Sequence, residues 1–128
     1  MLIFISWSGV TSEAVATYLA SWLPAVIQAV RPWISAEDIH KGQRWGEEIA
    51  GKLEEARFGI FCLTPENLEA SWLLFEAGAI SKLRNEARVC TYLFDVGLSD
   101  LSGPLAMFQA TEATEKSTWD LIRSINAA

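Results

Sequence analysis

Short apolar runs alternate along the chain with longer segments in which apolar residues return every three or four positions. "LIFIS" (2–6), "RPWIS" (31–35), "FGIFCLT" (58–64) and "RVCTYLFD" (88–95) read as strands. The third, apolar throughout, suits a strand buried on both faces. Between the first two, "WSGVTSE" supplies Ser and Thr suited to a helix start. Val15, Leu19, Trp22, Leu23, Val26 and Ile27 then recur at helical spacing, predicting a helix over about 11–30 that Pro24 bends or interrupts. "AEDIHKGQRW" (36–45) is polar and turn-forming, and "GEEIAGKLEEA" (46–56) resumes a helical pattern through Ile49, Leu53 and Ala56. After the third strand, Thr64 and Pro65 are placed as cap and first residue of another helix. The tail gives a loop with Gly97, Gly103 and Pro104, a short element around "LAMFQAT" that holds a last strand, and a helix over about 115–126. No repeat or low-complexity stretch interrupts this order.

Strands alternating with helices imply an α/β fold: a central, mostly parallel five-stranded sheet covered on both faces, in the flavodoxin-like three-layer manner. Ligands of such folds gather beyond the carboxyl ends of the strands. That edge carries Ser6, Trp7 and Ser8, the segment 35–42, Thr64 and Pro65, and 95–97.

With 128 residues the chain reads as one domain, 1–128, large enough to fold without disulfide or metal. Cys62 and Cys90 lie in apolar runs away from metal-ligand spacing and read as small core residues. A net charge of −6 without a Lys/Arg cluster argues against direct nucleic-acid binding. No apolar run reaches a membrane span, and strand 1 begins at Leu2 with no leader ahead of it. Both features point to the cytoplasm.

Several chemistries lack their residues. No GxGxxG follows the first strand and no GxxxxGK[ST] occurs, so the dehydrogenase and triphosphate fingerprints are missing. A phospho-receiver needs acidic residues where this chain has Ser6-Trp7 and Thr64-Pro65. His40, the single histidine, has no nucleophile signature beside it and reads as a solvated loop residue.

Within "SWLLFEAGAI" (71–80) Glu76 is a lone carboxylate among apolar residues, one helical turn from Trp72. A carboxylate and an indole on one helix face suit a cationic ring; they equally suit a paired structural carboxylate beside a core tryptophan. Mid-helix Gly78 implies a close neighbour, either backbone or ligand.

"FISWSG", "WISAEDIHKGQRWGEEI", "FGIFCLTPENLEASWLLFEAGAISK" and "FQAT" together resemble a bacterial Toll/interleukin-1 receptor (TIR) domain over nearly the whole chain. The resemblance implies that Glu76 is the catalytic glutamate of an NAD-cleaving effector, and that 36–44 is the BB loop, which gates the pocket and meets a neighbouring domain. NAD is then substrate, and no cofactor or metal is expected. Trp72 walls the nicotinamide or is plain core. Ser6, Trp7 and Ser8 begin the ligand loop, with Trp7 ranked above Phe4, which is otherwise core. Trp33 belongs to core or pocket floor, and Trp45 starts a helix or meets a partner. Asp38 and Lys41 contact ligand or form a solvated charged loop; Ile39, His40, Gly42 and Arg44 complete the assembly loop. Trp22 and Trp119 are assigned to packing. The chain departs from animal members in lacking an acidic residue on the first strand and in having Lys41-Gly42 where many have Pro-Gly.

The implied function is NAD+ glycohydrolysis releasing nicotinamide, with ADP-ribose or a cyclic form as product. It would act in anti-phage defence, activated by self-association, with a sensor domain beyond Ala128. A silent TIR scaffold and a nucleoside ribosyl transferase are the alternatives.

Overall fold

A computed structural model describes residues 1–34, 58–68, 88–101 and 109–127. Five strands, β1 (Leu2–Ser6), β2 (Arg31–Ile34), β3 (Phe58–Leu63), β4 (Arg88–Leu93) and β5 (Gln109–Glu112), form one sheet in the order β2-β1-β3-β4-β5. Every pairing is parallel. This is the flavodoxin-like α/β architecture, with its switch point between β1 and β3, where the strand order reverses. β2 is the edge next to β1 and contains Pro32, a residue without an N–H that an edge strand tolerates.

Two α-helices are described, α1 (Val10–Val26) and α2 (Glu115–Ala127). Ser12, Ala16, Leu19 and Leu23 form the buried stripe of α1 at spacings of three and four. Alternation along β1 sends Ile3 and Ile5 into this layer, where they cluster with Leu19, Leu23, Ile60, Cys62, Cys90 and, from α2, Leu121, Ile122 and Ile125. Phe4 lies on the opposite face. Its ring stacks on Trp33 at 5.2 Å between centroids and meets Phe61 edge-on at 6.4 Å. The residue across from Phe4 on β3 is Gly59, which sets no side chain beside that ring.

Several expected boundaries move. α1 ends at Val26, two residues after Pro24, and Ile27 is already extended. Its N-cap is Gly9, at φ +88, with no side-chain cap; Thr11 and Ser12, expected to help start the helix, bond to Glu66 and to the Cys62 carbonyl instead. Residues 65–68 form a turn, so no helix begins at Pro65. Thr64 does not cap one: its hydroxyl is buried without a hydrogen-bond partner among the described residues. α2 is capped by Thr114, whose Oγ1 accepts the Ser117 N–H at 3.2 Å.

Candidate functional site

The carboxyl ends of β1 and β3 meet in a buried polar clasp. β1 stops opposite Phe61, and the next β3 carbonyl, that of Cys62, accepts hydrogen bonds from two side chains instead. Ser12 Oγ donates to it at 2.7 Å and Asn67 Nδ2 at 3.1 Å. The same Asn67 amide donates to the Ser8 carbonyl at 2.9 Å, and its Oδ1 accepts the Thr64 N–H at 2.9 Å. Ser12 Oγ also accepts the Ser8 N–H at 3.1 Å. Asn67, 4 % exposed, thus uses both amide hydrogens and its carbonyl oxygen to join residues 59 positions apart. At the outer rim Thr11 Oγ1 donates to Glu66 Oε1 at 2.7 Å.

Gly9 stands at the centre of the β1–α1 turn. Its positive φ favours glycine, and an added Cβ would reach ordinary contact, 3.7 Å, with Glu66 Oε2. Conformation rather than space is the constraint there.

Among the expected site residues, Ser6, Trp7 and Ser8 do lie at this edge, and all three are buried. Trp7 belongs to the α1-side cluster, whereas Phe4 and Trp33 share the opposite face, so the three aromatics do not converge. The parity of β1 explains this, since residues 3, 5 and 7 point one way and Phe4 the other. Trp22 and Trp119, assigned to packing, do meet, in a T-shaped pair with centroids 6.4 Å apart. Trp119 nevertheless keeps 46 % of its surface exposed. Trp72, Glu76 and Gly78, the loop residues Asp38, Ile39, His40, Lys41, Gly42 and Arg44, and Trp45 lie outside the described residues, as do the helical patterns over 46–56 and 69–85.

Sequence reasoning missed Ser12, Glu66 and Asn67. The signal for Asn67 was present in "TPEN", a Pro-led turn ending in a side chain that readily bonds nearby backbone.

Cys62 and Cys90 are free, buried thiols. Burial pushes the Cys62 thiol far above its ordinary value, with Cys90 adding to the effect. Burial also raises Cys90, to about 11, against a lowering contact from Thr111. Neither is suited to act as a nucleophile. Among the described residues no helix is long and apolar enough to cross a membrane.

A parallel five-stranded sheet with a switch point at β1/β3 places the protein among flavodoxin-like α/β domains. Within that class, a family model of the TIR domain matches residues 3–123, and the chain belongs to the TIR domain family. No curated protein matches the chain. Membership supports a function of the TIR kind, either signalling through TIR–TIR contacts or NAD cleavage.

Proposed function

We propose that this TIR domain is an NAD+ glycohydrolase with Glu76 as its catalytic carboxylate. The observation that carries the reading is the position of the β3 turn. Asn67 ties this turn to the β1–α1 turn at the switch point, and Trp72 and Glu76 follow it by five and nine residues. The chain therefore leaves β3 through this turn at the edge where α/β folds bind ligands.

The chemistry requires little more than one carboxylate. The nicotinamide of NAD is a pyridinium, so when its bond to ribose C1′ breaks, the electron pair goes to the ring nitrogen and a neutral base departs. No general acid is required, unlike in ordinary glycosidases, whose leaving group must be protonated. Glu76 holds the ribose hydroxyls and stabilises the developing oxocarbenium charge. Water then adds at C1′ and releases its proton to solvent, giving ADP-ribose. Attack by the adenine ring or a ribose hydroxyl gives a cyclic product instead.

In this proposal Trp72 walls the nicotinamide, and Phe4, Trp33 and Ser6 form the floor beneath it. The loop 36–44, with Asp38 and Lys41 toward ligand and Ile39, His40, Gly42 and Arg44 toward a neighbouring copy, closes the pocket on self-association. The domain is the amino-terminal effector of a longer cytoplasmic protein whose sensor detects phage infection.

Incubating concentrated protein with NAD and following free nicotinamide by chromatography tests the reading. Glu76→Gln, with the fold unchanged by circular dichroism, is expected to lose about two to three orders of magnitude in rate. Cleavage within a few-fold of the unmodified protein would remove Glu76 from the mechanism. Absence of cleavage at every concentration would favour the scaffold function that TIR–TIR contacts support.

A further inference from the structure

The α1/α2 layer contains two adjoining clefts that share Tyr18, Leu19, Tyr92 and Ala113 as walls. The first, about 270 Å3, is built mainly from aromatic and polar side chains. Trp22 on α1 and Trp119 on α2 set their rings at 71° to one another, as two sides of a corner. Tyr92 is the most buried of its aromatics, 8 % exposed, its hydroxyl 3.0 Å from Thr118 Oγ1, while Tyr18 is 65 % exposed. Glu115, in the first turn of α2, brings a carboxylate to the same cleft, and no ion pair engages it among the described residues. The second cleft, about 400 Å3, continues along α1 past Ala14 and Val15 to Phe94 and is largely apolar. Among the described residues neither lining contains a Lys, Arg or His.

From this arrangement we infer a binding site for a small amphiphilic organic cation, with a quaternary ammonium head in the aromatic cleft and a short hydrocarbon tail in the apolar one. Aromatic faces attract a cation through their quadrupole, most strongly where water is partly excluded. Glu115 adds complementary charge, and an anion is disfavoured by the same carboxylate. The tail gains from leaving water along Val15 and Phe94. The site is on the α1/α2 layer, its second cleft reaching Thr11 at the rim of the β1/β3 clasp, and it does not depend on the proposed reaction.

The probes are alkyltrimethylammonium ions with methyl to hexyl as the variable chain, kept below micelle-forming concentration, titrated into isotopically labelled protein. The signals followed are the indole N–H resonances of Trp22 and Trp119, assigned by single Trp→Phe variants. Saturable shifts at both indoles are expected, with affinity rising about three-fold for each methylene that enters the second cleft. Neutral alcohols of matched shape are expected to bind about five- to ten-fold more weakly. Glu115→Gln and Trp119→Ala alter exposed side chains and are expected to weaken the ammonium probes without changing the thermal midpoint by more than a few degrees. Equal binding of the neutral alcohols, loss of chain-length dependence, or no saturable shift would overturn the site. A Glu115→Gln variant that binds the cations unchanged would overturn the role of its carboxylate and with it the stated ligand class.

Discussion

The β1/β3 edge and the α1/α2 layer are built from the same short chain on opposite principles. At the edge, Asn67, Ser12, Ser8 and the Cys62 carbonyl are buried and joined by hydrogen bonds of 2.7 to 3.1 Å. In the helical layer, Tyr18, Phe94 and Trp119 keep much of their surface in water around open clefts. A buried polar group must be satisfied or it destabilises the fold, so the edge has one arrangement. Exposed aromatics carry no such penalty and remain available to a ligand. Thr64 marks the limit of the first principle, since its buried hydroxyl meets no partner among the described residues although its N–H is held by Asn67.

The sharpest way to break this contrast is Asn67→Ala. It removes one hydrogen bond each from the Ser8 carbonyl, the Thr64 N–H and the Cys62 carbonyl. An expected loss of about 3 kcal/mol, read from the urea midpoint at unchanged slope, follows from leaving buried groups unsatisfied. A loss below about 1 kcal/mol would mean that the edge is no more tightly held than the helical layer.

The thiols in the core beneath α1 give a second measure. An unfolded cysteine ionises near 9, whereas folded Cys90 does so near 11. Between those values the native state keeps a proton that the unfolded chain gives up, so stability is full below pH 9 and falls as pH rises toward 11. The slope is about 1.4 kcal/mol per pH unit for each such thiol. Denaturant titrations across that range are expected to show it, and Cys90→Ala to reduce the slope whatever its effect on absolute stability.

The smallest effect belongs to the rim of the clasp. Thr11→Val deletes the hydroxyl that meets Glu66, an exposed contact, and less than about 1 kcal/mol is expected. A loss as large as that of Asn67→Ala would place the strength of the clasp at its surface rather than in its buried amide.

The strands were legible because continuous apolar runs such as "FGIFCLT" suit a sheet covered on both faces, and their alternation with helices implied parallel pairing. The clasp was not, because its bonds span 50 and 59 positions while its residues carry strong local signals. Ser12 read as part of a helix start and Thr64 as a cap. The first instead reaches Cys62, and the second is held through its backbone. Trp7 was ranked above Phe4 as a ligand contact by its proximity to the sheet edge, and strand parity sets the two on opposite faces. Glu76 was singled out by its apolar setting and by resemblance, and local spacing alone did not distinguish a catalytic carboxylate from a structural one.

The placement of β1 has a consequence for how the chain folds as it is made. β1 is synthesised first yet lies inside the sheet, between β2 and β3, and its β3 partners are 55 residues further on, as for Ile3 and Phe58. Until that distant strand leaves the ribosome, "LIFIS" has one flank without a neighbour. Such long-range parallel pairing is slow to form and leaves strand edges open to other chains meanwhile. Early α1 formation over Ile3 and Ile5 would shield one face of the nascent strand, making the first helix a guard against aggregation before it is a wall of any binding cleft.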